Sequence, residues 1–158
     1  MLKVEKITIG DLKVTTQKHP YFRGMALKGR WLQFVGPSLS PVLASLARSG
    51  VTDLANADMG VMAAALGELF FRMDPAELQP LICETLASTT VVVPDEKGVA
   101  TQIDLSNPAM IELVFGDREL DSLKTIWFAL KVNFAGLFPD GAMAKLVQAM
   151  APKESPST

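Results

Sequence analysis

The 158-residue chain has one cysteine, one histidine and one tyrosine, and each scarcity closes off a class of chemistry. A single thiol, Cys83, excludes an intramolecular disulfide and any multi-cysteine metal site. Its apolar helical setting suits a small buried hydrophobe better than a nucleophile. The single histidine, His19, stands before Pro20 with no second histidine or cysteine nearby in sequence, so it makes no recognisable zinc motif and reads as a loop residue. No Gly-x-Gly-x-x-Gly, Walker-type lysine loop or Gly-x-Ser-x-Gly elbow occurs, which leaves phosphate cradling and hydrolase chemistry without support. Net charge is −2, too little basicity for a protein that lives by neutralising phosphates. The one cationic cluster, Arg23, Lys28 and Arg30, reads as a solvated face. The longest apolar run, Met59 to Phe71, contains Glu68 and falls short of the roughly 20 residues a membrane span needs. Lys3, Glu5 and Lys6 interrupt any export signal at the N-terminus.

What the chain does have is apolar mass. Hydrophobic residues make up 49% and mean hydropathy is +0.25, high for a protein without a span. One domain of this length buries roughly 70% of its unfolded surface. The expected fold class is mainly α (α+β): a compact domain of about six helices over residues 1–150, with an N-terminal β-hairpin, a second short hairpin near residues 89–104, and a disordered tail at 151–158.

The first hairpin is read in residues 5–16, where β-branched residues alternate on both sides of Gly10-Asp11 and Ile7, Ile9, Leu12 and Val14 supply an apolar face. A helix follows Pro20, with Gly36-Pro37 as its stop and Ser40-Pro41 opening a second short helix that ends at Ser49-Gly50. The segment from Asp58 to Met73 should be among the most buried, with Glu68 and Arg72 forming an i,i+4 pair; Gly60 and Gly67 on one face would let another helix approach. Asp74-Pro75 with Glu77 starts the next helix, which Pro80 should bend. Asn107-Pro108 starts another, and Gly116 should end it in a left-handed cap.

The organising stretch is 117–138, one long helix in which Leu120, Leu123, Trp127, Leu130, Phe134 and Leu137 recur at steps of three and four. Asp117, Asp121, Lys124 and Lys131 lie opposite. Phe128, Val132 and Ala135 share that charged side, so the C-terminal half is apolar almost all round. Such a helix is either central in its domain or half covered by a partner. The carboxylates at its start are explained by the helix dipole without catalysis. Pro139-Asp140-Gly141 breaks the chain before a last short helix at 142–150. Eight methionines, among them Met59, Met62, Met73, Met110, Met143 and Met150, fall on helical faces and favour a protein that binds proteins.

Several blocks carry a resemblance: the N-terminal β-segment, YFRGMALKGRWLQFVGPSLSPVLASLA, ELFFRMDPAELQPLICETLAST, a short hairpin, and LKTIWFALKVNFAGLFPDG. In that order they resemble the tail assembly chaperones of long-tailed bacteriophages over most of residues 5–140. The resemblance implies a non-catalytic protein without cofactor or metal, made in the cytoplasm of the infected bacterium and absent from the finished virion. It implies two partners: the long helical tape-measure protein, which such chaperones keep soluble, and the tail-tube subunits they recruit. It also implies a ribosomal frameshift that appends a second domain. Self-association remains open as a cover for the apolar excess, while nucleic acid and membrane are not expected partners. The client surface is expected on Phe128, Lys131, Val132 and Ala135, with Pro139 beside it. Two rival readings are a structural tail or head-completion protein of the virion and a bacterial adaptor or regulatory module.

Overall fold

A tight turn sets the first element pair. In the computed structural model, which describes residues 1–48, 50 and 58–134, Gly10 takes a left-handed φ of 60° between strands β1 (Val4–Ile9) and β2 (Leu12–Gln17). That region is open to glycine at no steric cost, and a glycine opening a two-residue turn matches the right-handed twist of the flanking strands. The register that follows pairs Ile9 with Leu12 and Ile7 with Val14, placing all four on one face as expected.

The second hairpin, β3 (Thr89–Pro94) and β4 (Ala100–Asp104), forms at the expected place and puts β4 at a sheet edge. It joins the first through antiparallel pairing of β2 with β3, giving one sheet in the order β1-β2-β3-β4. Ile7, Val14, Val91 and Ile103 then stand in a row across all four strands. Beside that row, Thr16 and Thr89 are buried opposite each other and their hydroxyls hydrogen-bond at 2.9 Å. Cross-strand pairs of this kind are the unit of sheet stability, and this one fixes the register between the hairpins across a separation of 73 residues.

Five helices lie among the described residues. α1 (Tyr21–Arg48) is one helix of 28 residues. The expected break at Gly36-Pro37 and restart at Pro41 do not occur. A proline inside a helix removes one backbone hydrogen bond and costs about 3 kcal/mol. Here Leu27, Trp31 and Leu46, on either side of the prolines, are all buried in the same core, so packing of both halves outweighs the local penalty. α2 (Met59–Phe71) is capped by Asp58, whose side chain accepts from Val61 N–H, and it buries Met62, Ala63, Ala65, Leu66 and Leu69. Glu68 and Arg72 form the expected pair at 3.4 Å. At Gly67 an added Cβ would lie 3.3 Å from Leu123, so this glycine allows the close approach of another helix. α3 (Pro75–Thr85) is capped by Asp74, and α4 (Pro108–Phe115) by Asn107. Gly116 does not close α4 in a left-handed cap. Its φ of −51° is right-handed, and its N–H reaches back to the Glu112 carbonyl.

α5 (Glu119–Phe134) is the centre of the fold. It packs against α2, β1, β2, α3 and α4. Every residue from Thr125 to Phe134 except Lys131 is buried. Phe128 is 5% exposed and Val132 1%, so these two expected members of the client surface are core residues. Their place on the charged side of a helical wheel did not expose them, because neighbours cover α5 on both of its faces. At its start the helix is less enclosed: Leu120 is exposed and Leu123 half-buried. Ala135, Pro139, the break at 139–141, the helix expected at 142–150 and the tail lie outside the described residues.

Removing a large buried aromatic side chain from a packed core typically costs about 3–5 kcal/mol. Phe128→Ala should therefore lower the urea midpoint by that order of stability; a variant as stable as the parent would show that the side chain is not enclosed.

Candidate protein-binding surface

The polar groups nearest to a constellation prove to be structural. His19, expected in a loop, is buried at the junction of β2 and α1. Its backbone N–H donates to Asn133 Oδ1 at 2.8 Å, which ties the end of α5 to this junction. Its Nε2 lies 3.0 Å from the Glu84 carbonyl, which can only accept, so Nε2 carries the proton. Nδ1 is then free to accept from the Ser88 hydroxyl at 2.7 Å. Burial pushes the imidazole below its usual pKa, and the positive charge of Arg23 adds to the effect.

The remaining polar contacts also have packing roles. Trp31 Nε1–H donates to Thr85 Oγ1, whose own hydroxyl donates to the Leu81 carbonyl. Arg118 pairs with Asp11, holding the β1–β2 turn against the start of α5 and keeping the Asp11 carboxyl below its ordinary range. The Arg23, Lys28 and Arg30 cluster is divided: Arg30 pairs with Glu84, and Lys28 Nζ sits 5.8 Å above the Phe134 ring. Cys83 is half-buried, and burial raises its thiol pKa, the opposite of what a nucleophile needs. Among the described residues, no group of three His, Cys, Asp or Glu side chains is placed to hold a metal ion, and no helix is long and apolar enough to cross a membrane. A cleft of about 350 Å³ between β3–β4 and α4 is lined by Val93, Ile103, Glu112 and Leu113, but its one cation, Arg118, is already paired with Asp11.

The apolar surface is more informative. α1 carries two apolar stripes. Leu27, Trp31 and the partly buried Phe34 face the core. On the opposite side Phe22 is 84% exposed, Met25 48% and Leu32 65%. Gly29 and Gly36 continue the spacing, so positions 22, 25, 29, 32 and 36 advance by three and four alternately. That spacing matches the seam along which helices pack lengthwise. Tyr21 flanks its start and meets Phe22 edge-to-face at 5.2 Å. Large apolar side chains grouped on one helix face, rather than scattered, mark an interaction surface.

Of the five positions expected to meet a client, the structure thus puts Phe128 and Val132 inside and leaves Lys131 half-buried. The seam on α1 was missed, although its spacing is visible in the sequence. Phe22, Met25 and Leu32 alternate with Leu27, Trp31 and Phe34, so the helix reads as apolar on both sides. Nothing local says which side turns inward. The methionines divide likewise: Met62 and Met73 fill the core, whereas Met25 lies on the seam.

A family model described as phage tail assembly chaperone protein, TAC, matches residues 10–147. No curated protein and no solved structure matches the chain.

The buried imidazole makes a pH prediction. Its folded-state pKa is lower than its ordinary value of 6.5, so the unfolded chain takes up this proton first as pH falls. The stability that His19 contributes is complete above about pH 6.5 and is lost as pH falls through the folded value. Thermal midpoints should drop between about pH 7.5 and 5, and less so in His19→Gln. Equal slopes for the two proteins would show that another group is responsible.

Proposed function

The chain belongs to the phage tail assembly chaperones, and from that premise we propose that it binds the tape-measure protein and brings tail-tube subunits to it during tail assembly. It does so without catalysis, in the cytoplasm of the infected bacterium, and leaves before the virion is complete. The observation that carries this reading is the row of exposed apolar side chains on α1, Phe22, Met25 and Leu32, on a domain whose core is otherwise well filled. An elongated helical protein exposes apolar stripes until it is packed inside a tube, and such stripes aggregate in water. A chaperone with an apolar helix face covers them in the manner of a helix laid along another. The polar groups support the same reading from the other side: His19, Asp11 and Arg30 are each engaged in holding elements together.

Co-expression of the full chain with the tape-measure protein of the same phage tests the proposal. Soluble tape-measure protein that co-elutes with this chain, and is lost without it, is the expected result. A tape-measure protein that stays insoluble in its presence, together with this chain in purified virions, would assign it instead to the structural components of the particle.

A further inference from the structure

We propose that the seam Phe22–Met25–Gly29–Leu32–Gly36 of α1 is the docking site for an acidic, amphipathic helix of the client, crossing α1 at close range; the inference rests on the chaperone reading above. Three observations lead to it.

The first is Gly29. A glycine inside a helix is unfavourable, and nothing within the fold requires this one. Its φ is not left-handed, and a Cβ built on it would meet no atom within 4 Å. Gly36, one heptad on, is open in the same way. Gly67 provides the contrast, since its missing side chain makes room for Leu123. None of the described residues fills the space at Gly29 and Gly36, and backbone that lacks Cβ atoms admits a second helix at the short end of the 8–10 Å range.

The second is the spacing. Alternating steps of three and four match the period of a partner helix inclined at about 20°, with Phe22, Met25 and Leu32 as knobs and the glycines as floor. From position 22 to 36 the seam runs about 21 Å, so it takes about 14 residues of partner helix.

The third is charge. The chain as a whole is net negative, yet α1 has no acidic residue in 28 and four cations, of which Arg30 is paired with Glu84 of α3. Its first turn, where the helix dipole is positive, has no compensating carboxylate either. Lys28 directly flanks the seam. A partner with Glu or Asp beside its apolar stripe complements this surface, whereas a second copy laid symmetrically on the same seam would bring two cationic helices together.

The test uses full-length chains and the tape-measure protein of the same phage, whole and as overlapping fragments. Gly29→Leu fills the floor of the seam and removes a helix-interior glycine. It should raise the thermal midpoint by about 2–4 °C and yet weaken capture of the tape-measure protein by roughly tenfold or more. Phe22→Ser with Leu32→Ser should abolish capture at an unchanged midpoint, and Lys28→Glu should weaken it most at low salt. The fragment retained by the parent chain should be acidic and helical by circular dichroism. If the parent solubilises the tape-measure protein and the seam variants do so equally, or the retained fragment is basic or extended, the seam assignment falls and the chaperone reading stands. A parent dimer that the serine variants convert to a monomer would give the seam to self-association and also overturn the assignment. If the parent fails to capture the tape-measure protein at all, both readings fall together.

Discussion

Enclosing the second half of α5 is the constraint from which most of the architecture follows. A helix whose second half is apolar around its circumference needs cover in every direction, and no single layer provides it. The sheet covers one side through β1 and β2, α2 covers another through the notch at Gly67, and α3 and α4 close the remainder. Polar groups trapped by that enclosure must find partners within it. Thr125 donates to the Asp121 carbonyl and Asn133 Nδ2 to the Ala129 carbonyl, both within the helix. Asn133 Oδ1 turns outward to the His19 N–H, so the end of α5 is joined to the point where β2 gives way to α1. Among the described residues no buried side-chain nitrogen or oxygen is left without a partner.

That enclosure also separates what could be read from the sequence from what could not. Local chemistry was legible. Gly10 opening a tight turn, Asp74 and Asn107 starting helices, and the Glu68–Arg72 pair all depend on neighbours within four residues, and all are present. The central position of α5 was among the readings its all-round apolarity allowed. Relations between distant segments were not legible. The pairing of Val14 with Val91 merges two hairpins into one sheet, and no pattern within either hairpin announces it. The continuity of α1 through Pro37 and Pro41 goes against local propensity and is decided by packing at Trp31 and Leu46. The burial of Phe128 and Val132 is of the same kind: the sequence places them on the charged side of α5, and the tertiary arrangement covers that side.

The apolar excess of the composition is thus divided in two. Most of it fills the core around α5. Part of the remainder is scattered, as at Phe71, Leu113 and Leu120, and part is grouped on α1, which turns Leu27, Trp31 and Phe34 inward and Phe22, Met25 and Leu32 outward. Because the two stripes belong to one helix, the core that fixes the inner stripe also fixes the outer one. Trp31 is held by its hydrogen bond to Thr85, and the ion pair of Arg30 with Glu84 anchors the same stretch to α3. Seam side chains therefore sit on a helix already fastened to the domain, so a partner does not have to order it, and the entropic cost of association is reduced.

The proposed seam is also short, and its size bears on how a chaperone of this kind would work. It presents three large apolar side chains, and fully burying one gains about 1.5–3 kcal/mol. Association costs an estimated 4–15 kcal/mol in lost freedom of motion. One seam on one client helix therefore comes out weak or marginal. Weak single contacts suit a protein that must cover an apolar client and later give way to tube subunits. A long helical client offers such sites repeatedly, and many copies bound along it would protect its whole length while each remains individually exchangeable. On the proposed reading, placing the grip in many small contacts on a rigid domain, rather than in one large one, would reconcile solubility during assembly with release at its end.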